Sequence, residues 1–227
     1  MPKKLPKILD FENKKAYFRV SVNKTSHNHP IRMLIRRAEI FSDSYNQLSA
    51  KSPIELKGKL TIQFNGEEGY DAGGVSREWF LLLSQTIFDQ NYALFIPSAS
   101  GITFQPNTLS YINPEHLNFF KFVGKVIGKA LNDGYLLDAY FTRSFYKHMT
   151  GASLDYHDME DIDPAEYKSM IWILENDVDE LGFTFAYECD NFGQKFTKDL
   201  ITDGRNINVT NQNKIEYVNT LCYAKMA

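Results

Sequence analysis

Hydrophobic and polar positions along this chain switch between two periods, and the switches predict its elements. Residues 10–20 mix Phe11, Ala16, Tyr17 and Phe18 with charges at helical spacing, and the polar run 23–30 ends that helix in a loop. Residues 31–36 form a short apolar strand, and residues 38–48 return to helical spacing through Ile40, Phe41, Tyr45 and Leu48. Ser52-Pro53 starts a further short turn, because Ser caps well and Pro is tolerated at a first helical position. In residues 59–64, Leu60, Ile62 and Phe64 alternate with polar neighbours, the pattern of a half-buried strand. Four glycines within residues 65–74 mark irregular backbone, and residues 75–88 then read as a helix apolar on most sides, central to a core.

Asn113-Pro114 opens a long helix carrying Phe119, Phe122, Val123, Val126, Ile127, Ala130 and Leu131, which Asn132-Asp133-Gly134 stops. Its two internal glycines, Gly124 and Gly128, cost about 1 kcal/mol each against alanine, so a neighbouring helix is expected to approach closely there. An aromatic helix is predicted over residues 139–149. After Gly151 the texture becomes acidic turns, a short helix and strands. Asp163-Pro164-Ala165-Glu166 is a helix start with its cap, its proline and its first-turn acid, and the helix runs to Leu174. Residues 183–187 read as a strand, and residues 196–200 and 206–209 as a hairpin around the Asp203-Gly204 turn. Thr210 is read as the cap of a last helix. The expected fold class is α+β, with a mainly helical large subdomain over residues 1–150 and a small mixed α/β subdomain over residues 151–227.

Composition changes this picture little. A chain of 227 residues, 43% apolar and 14% aromatic, can bury a real core. Its net charge of −3 gives no global support for attachment to nucleic acid or an anionic membrane. The basic opening (Lys3, Lys4, Lys7) is followed by no apolar run, and no stretch approaches the roughly 20 residues of a membrane span. The expected setting is the cytosol or nucleus, and two cysteines outside any CxxC pattern fit a reducing compartment.

The search for chemistry returns mostly ordinary structure. The glycine-rich turn has no Lys-Ser or Lys-Thr after it, and Glu67, Glu68 and Asp71 would repel a phosphate, so no nucleotide or other cofactor is expected. Those three acids read as a hydrated turn that positions Arg77, Glu78 and Trp79. His27-Asn28-His29 offers two imidazoles without a third ligand, so no metal site is expected. Cys222 shares a helical stripe with Ile215, Val218 and Met226, which makes it a buried, inert thiol rather than a nucleophile. Cys189 sits between Glu188 and Asp190, neighbours that disfavour a thiolate.

Tyr217 and Leu221 form a second apolar ridge beside that stripe. The Asp163 helix likewise carries Met170 and Ile173 beside Tyr167, Ile171 and Leu174. Two ridges on one helix fit either a sandwiched core helix or a shallow groove left open for a partner, and the pattern alone leaves both open.

Residues 65–80, Asn65-Gly-Glu-Glu-Gly-Tyr-Asp-Ala-Gly-Gly-Val-Ser-Arg-Glu-Trp-Phe80, resemble a signature of the amino-terminal lobe of HECT-type ubiquitin ligases. Matches continue in order through Asn91-Tyr-Ala-Leu-Phe95, Asn113-Pro-Glu-His-Leu117, Leu136-Leu-Asp-Ala-Tyr-Phe141, Trp172-Ile-Leu-Glu-Asn-Asp177 and Glu216-Tyr-Val218. The opening Leu5-Pro-Lys-Ile-Leu-Asp-Phe11 is most similar to the HUWE/TOM-like branch.

The resemblance implies thioester transfer of ubiquitin through a cysteine in a carboxy-terminal lobe. No Thr-Cys-Phe motif of that lobe occurs here, so the chain is expected to bind without transferring, and no catalytic residue is expected in it. The resemblance also implies a conjugating-enzyme groove at Ser169, Met170, Asp179, Leu181, Phe183, Tyr217 and Leu221, with Asp179 facing a basic rim. Glu166 stands where relatives carry an apolar residue. Tyr92 is implied as a possible non-covalent ubiquitin contact, with core filling as its alternative. Implied partners are a ubiquitin-conjugating enzyme, ubiquitin, and protein substrates engaged through regions outside this chain. Substituting Tyr217 or Phe183 by Ala is expected to abolish docking and leave the fold intact. The rival readings are a scaffold module with no role in ubiquitin transfer and a cysteine enzyme using Cys222.

Overall fold

The computed structural model describes residues 9–23, 30–69, 71–191 and 193–226. His27 and His29 lie outside the described residues. The chain is mixed α+β; among the described residues helices dominate and strands occur only in pairs. It divides into two compact units, residues 1–96 with 106–139 and residues 97–105 with 140–227.

In the first unit, α1 (Phe11–Asn23) precedes β1 (Ile31–Ile35), α2 (Ile40–Leu48), β2 (Leu60–Phe64) and α3 (Gly74–Ile87). The strands pair in parallel with Ile31 opposite Leu60 and Ile35 opposite Phe64. Alternation then puts Ile31, Met33, Ile35, Leu60, Ile62 and Phe64 into the core. Parallel strands need a crossover, and α2 supplies it, burying Ile40, Phe41 and Leu48. Trp79 of α3 is fully buried, and its indole N–H donates to Ser44 Oγ of α2 at 2.9 Å.

The acidic turn is less hydrated than its composition predicts. Asp71 is only 5% exposed, and its carboxylate accepts from the backbone N–H groups of Ile62 (2.8 Å), Gly73 (2.8 Å) and Ser76 (3.2 Å) and from the Ser76 hydroxyl. Burial pushes its pKa up, but these donors outweigh burial and leave it below the ordinary value. The carboxylate thereby ties β2 to the start of α3, where Gly73 takes φ of 105°, a conformation glycine alone adopts cheaply. Glu67 and Glu78 pair with Arg37, which lies 3.9 Å from the centre of the Phe64 ring.

The chain continues through β3 (Phe95–Pro97) and β4 (Phe104–Pro106) to α4 (His116–Asp133), which ends at Gly134 in the left-handed conformation. Among the described residues no helix packs against Gly124 or Gly128, contrary to the expected close approach. A Cβ at either position would meet nothing within 4 Å, because both glycines line an open groove with Pro53 and Leu56.

In the second unit, α5 (Arg143–Thr150) starts four residues later than predicted. The backbone there is already engaged: Phe104 N–H donates to Tyr140 O and Thr142 N–H to Phe104 O, at 2.7 and 3.0 Å. α6 (Met159–Ile162) and α7 (Pro164–Glu175) follow, α7 with the predicted Asp163 cap and Pro164 at its first position.

The predicted hairpin is wrong in its pairing. β5 (Ala186–Asn191) pairs antiparallel with β6 (Gln194–Asp199), with Gly193 at φ 83° in the turn. Residues 206–209 lie instead beside residues 183–185, through the Phe185 N–H to Ile207 O and Val209 N–H to Phe183 O bonds. Asp203-Gly204 opens a single 3-10 turn, Gly204–Asn206. α8 (Lys214–Met226) follows Thr210, whose carbonyl accepts from Lys214 N–H at 2.9 Å and whose own N–H donates to the Asn213 side chain at 2.7 Å. The core of this unit gathers Met159, Met170, Ile173, Val178, Phe185 and Val209 with four residues of α8.

Candidate functional site

Helices α7 and α8 pack together, and their geometry bears on both readings of their double ridges. On α8, Tyr217, Val218, Leu221 and Cys222 are all buried, whereas Ile215 is 65% exposed. The expected core stripe through Ile215 is therefore displaced by about a quarter-turn. At 100° per residue the two ridges merge into one broad buried face centred between them, with Ile215 just beyond its edge. Met170 and Ile173 of α7 are buried against the same cluster.

That burial is incomplete at the surface. A hollow of about 500 Å³ opens between the helices, lined by Glu166, Ser169, Met170, Ile173, Phe183, Tyr217 and Leu221, with Lys168 and Trp172 on its outer lip. The positions follow from helical spacing, since residues 166, 169, 170 and 173 share one face of α7 and residues 168 and 172 lie one turn apart on the next. Met170, Tyr217 and Leu221 form a floor rooted in the core. Phe183 is half-buried at the edge, and Trp172 is 48% exposed.

The structure thus brings together five of the expected groove residues: Ser169, Met170, Phe183, Tyr217 and Leu221. Asp179 and Leu181 stand outside the lining, in the loop between α7 and Phe183. Asp179 accepts from the Asn211 N–H at 2.7 Å, which fastens this loop to the approach of α8, and Leu181 is 48% exposed. Tyr217 packs edge-on against Phe185, with ring centres 5.5 Å apart. Replacing it by Ala would remove core packing together with groove wall, so the expectation that such a change spares the fold does not hold for Tyr217.

Lys168 and Trp172 are the lining residues that sequence reasoning missed. Their only signal is their i, i+4 spacing, which carries no information about exposure. Glu166 lies in the lining, and its carboxylate pairs with Lys225 of α8 at 2.9 Å. The pair spans the two helices at one end of the hollow. Burial, and secondarily Glu166, raises the Tyr217 phenol above its ordinary value.

The two cysteines sit in different surroundings. Cys222 is 1% exposed and its thiol donates to Asp155 O at 3.3 Å. Burial pushes its pKa up to about 12, with Asp158 and Asp155 adding to the shift and Lys147 opposing it. Cys189 lies half-buried on β5. Among the described residues no group of three His, Cys, Asp or Glu side chains could hold a metal ion. No helix among them is long and apolar enough to cross a membrane. Tyr92, in the first unit, is half-buried with its ring 4.4 Å from that of Phe41, so core filling occupies at least part of it.

Comparison with known proteins agrees with the resemblance. The HECT-domain (ubiquitin-transferase) family matches residues 81–227. The chain is 50% identical over 226 residues to the E3 ubiquitin-protein ligase UPL2 of Arabidopsis thaliana, covering 95% of this chain and 6% of that protein. It is 45% identical to the E3 ubiquitin-protein ligase TOM1 of Saccharomyces cerevisiae, covering 98% and 7%. With the E3 ubiquitin-protein ligase HUWE1 of Mus musculus it shares 44% identity, covering 97% and 5%. The chain thus spans only 5–7% of the length of these relatives.

Proposed function

Since the chain belongs to the HECT-domain (ubiquitin-transferase) family, we propose that the hollow between α7 and α8 docks a ubiquitin-conjugating enzyme. The observation that carries this reading is the hollow itself, whose apolar floor of Met170, Tyr217 and Leu221 is rooted in the core while its edge at Phe183 and Trp172 faces solvent. A rigid floor suits an inserted apolar tip, because little side-chain freedom is lost on binding. Burial of Cys222 supports a division of labour in which this chain recruits the loaded enzyme and does not itself accept ubiquitin.

The interface is small, below roughly 1,200 Å² in total, as in transient encounters. Titrating the isotope-labelled chain with a panel of conjugating enzymes should perturb amides of residues 166–173, 181–183 and 217–221. Phe183→Ala, which removes an edge residue and not the floor, should weaken binding by about 10- to 30-fold, or ~1.5–2 kcal/mol. Unchanged affinity in that variant would place docking elsewhere. Incubation with a ubiquitin-loaded enzyme should leave no reducible ubiquitin adduct on Cys189 or Cys222.

A further inference from the structure

A second groove lies wholly within the first unit and shares no residue with the hollow between α7 and α8. It holds about 400 Å³ between α4 and the turn at Pro53, Leu56 and Lys57. Helical spacing puts Leu117, Lys121, Gly124, Gly128 and Leu131 on one stripe of α4, and all five are exposed. The stripe runs for about 21 Å. Leu117 and Leu131, at its two ends, are 64% and 55% exposed, and the glycines between them leave the helix backbone bare. Charge in this groove is one-sided. Residues 49–59 and 116–133 hold six lysines and two carboxylates, although the whole chain carries a net charge of −3. Both carboxylates are already taken: Glu55 pairs with Lys51 at 3.3 Å and Asp133 with the buried Lys129 at 2.8 Å. Lys125 donates to backbone alone, to Ser49 O at 2.5 Å and Lys51 O at 2.8 Å, which fixes its position and leaves its charge unanswered by an acid. Among the described residues no carboxylate forms an ion pair with Lys57 or Lys121 either.

We infer that this groove binds an acidic amphipathic helix of a partner protein, with small side chains over Gly124 and Gly128 and carboxylates towards Lys57, Lys121 and Lys125. Charge complementarity and the bare backbone together decide the occupant. Three unanswered cations border an apolar line of Pro53, Leu56 and the α4 stripe, so the partner needs acids flanking a small or apolar ridge. A helix meets that need, because the distance between two helix axes is set by the side chains at their contact and glycine allows the closest approach. Single-stranded nucleic acid fits less well, since its bases stack on aromatic side chains and none lines this groove. A second copy of this chain offers no such helix, because its acidic helices α6 and α7 bury their own apolar residues, Met159 in one and Met170 and Ile173 in the other.

The probe is a fluorescent peptide of about 18 residues, about 27 Å long as a helix, with Ala and Leu on one stripe, Glu on either side of it and Gln elsewhere. Its anisotropy with the 227-residue chain should report a dissociation constant on the order of 10–100 μM at about 0.05 M salt, weakening several-fold at about 0.5 M. A peptide of the same composition in shuffled order, and one with Lys in place of every Glu, should each bind about ten-fold more weakly or worse. The double variant Lys57→Glu/Lys121→Glu should weaken binding of the striped peptide about ten-fold. Gly128→Leu should weaken it as much while leaving the melting temperature unchanged or raised, because the helix gains propensity and the new side chain starts into open space. Lys125 is kept, since its bonds hold the Ser49 and Lys51 carbonyls. Equal binding of the shuffled peptide, unaltered binding to Gly128→Leu, or competition by an oligothymidine as strong as that of unlabelled peptide would reduce the groove to a diffuse basic surface and overturn the inference. Absence of any binding by the striped peptide overturns it as well.

Discussion

At the scale of single residues, Gly204 is the most tightly enclosed glycine of the second unit. A Cβ there would sit 2.1 Å from the Phe185 carbonyl oxygen and 3.0 Å from its carbon, both backbone atoms that no rotamer change can move. Gly204→Ala should therefore destabilise the chain by about 2–4 kcal/mol in urea unfolding. A change within about 0.5 kcal/mol would mean that the turn yields. Cys222 makes a pH prediction. Its thiol is raised in the folded state from 9.0 to about 12, so below pH 9 it is protonated in both states and costs nothing. Above that, the unfolded chain releases a proton that the folded chain retains, and stability falls as pH rises towards 12, by up to about 1.4 kcal/mol per unit. Comparing unfolding curves at pH 8 and about pH 10 should show this loss in the parent and a smaller one in Cys222→Ala; equal losses would assign it to other groups. Burial of Cys222 was legible in the sequence because a helical stripe includes it. The clash at Gly204 was not, because the Phe185 carbonyl lies 19 positions away, across a pairing that no local pattern announces.

At the scale of elements, caps and periods were legible where local chemistry and packing agree. Asp163 both reads as a cap and acts as one, its carboxylate accepting from the N–H groups of Ala165 and Glu166 at 3.0 Å each. Asp163→Ala should cost about 1 kcal/mol. The hairpin was misread for the opposite reason: β6 is exposed along nearly its whole length and has no buried face to give it a period, so the stronger Asp203-Gly204 turn signal prevailed. The glycines of α4 were misread in another way. A helix that tolerates two glycines invites the inference of close packing, yet open space faces Gly124 and Gly128. Each Gly→Ala change should then stabilise the chain by roughly 0.5–1 kcal/mol, through helix propensity alone. Destabilisation by either would show that something packs against this face in solution.

At the scale of the whole molecule, the candidate site is a compromise between core and surface, which explains why periodicity exposed it only in part. Four of its residues read as surplus apolar positions because they are more hydrophobic than a solvated face requires, but their number could not show whether the surplus was covered. Packing of α7 against α8 covers most of it and leaves a hollow where Ser169, a small residue, faces Tyr217 and Leu221 across the gap. On the docking reading, a site built this way would bind without rearranging the core, and the isolated chain should retain it. Added in excess to a reaction containing an intact ligase of the family, its conjugating enzyme and ubiquitin, the chain should slow ubiquitin transfer by sequestering the conjugating enzyme. Two features separate this from non-specific inhibition. Raising the conjugating-enzyme concentration should restore the rate, since the effect is a loss of free enzyme, and Phe183→Ala should inhibit about ten-fold less strongly at equal concentration. Inhibition that persists in Phe183→Ala, or that excess conjugating enzyme fails to relieve, would mean that the chain acts through a different surface, and the hollow between α7 and α8 would then be an incidental gap in packing.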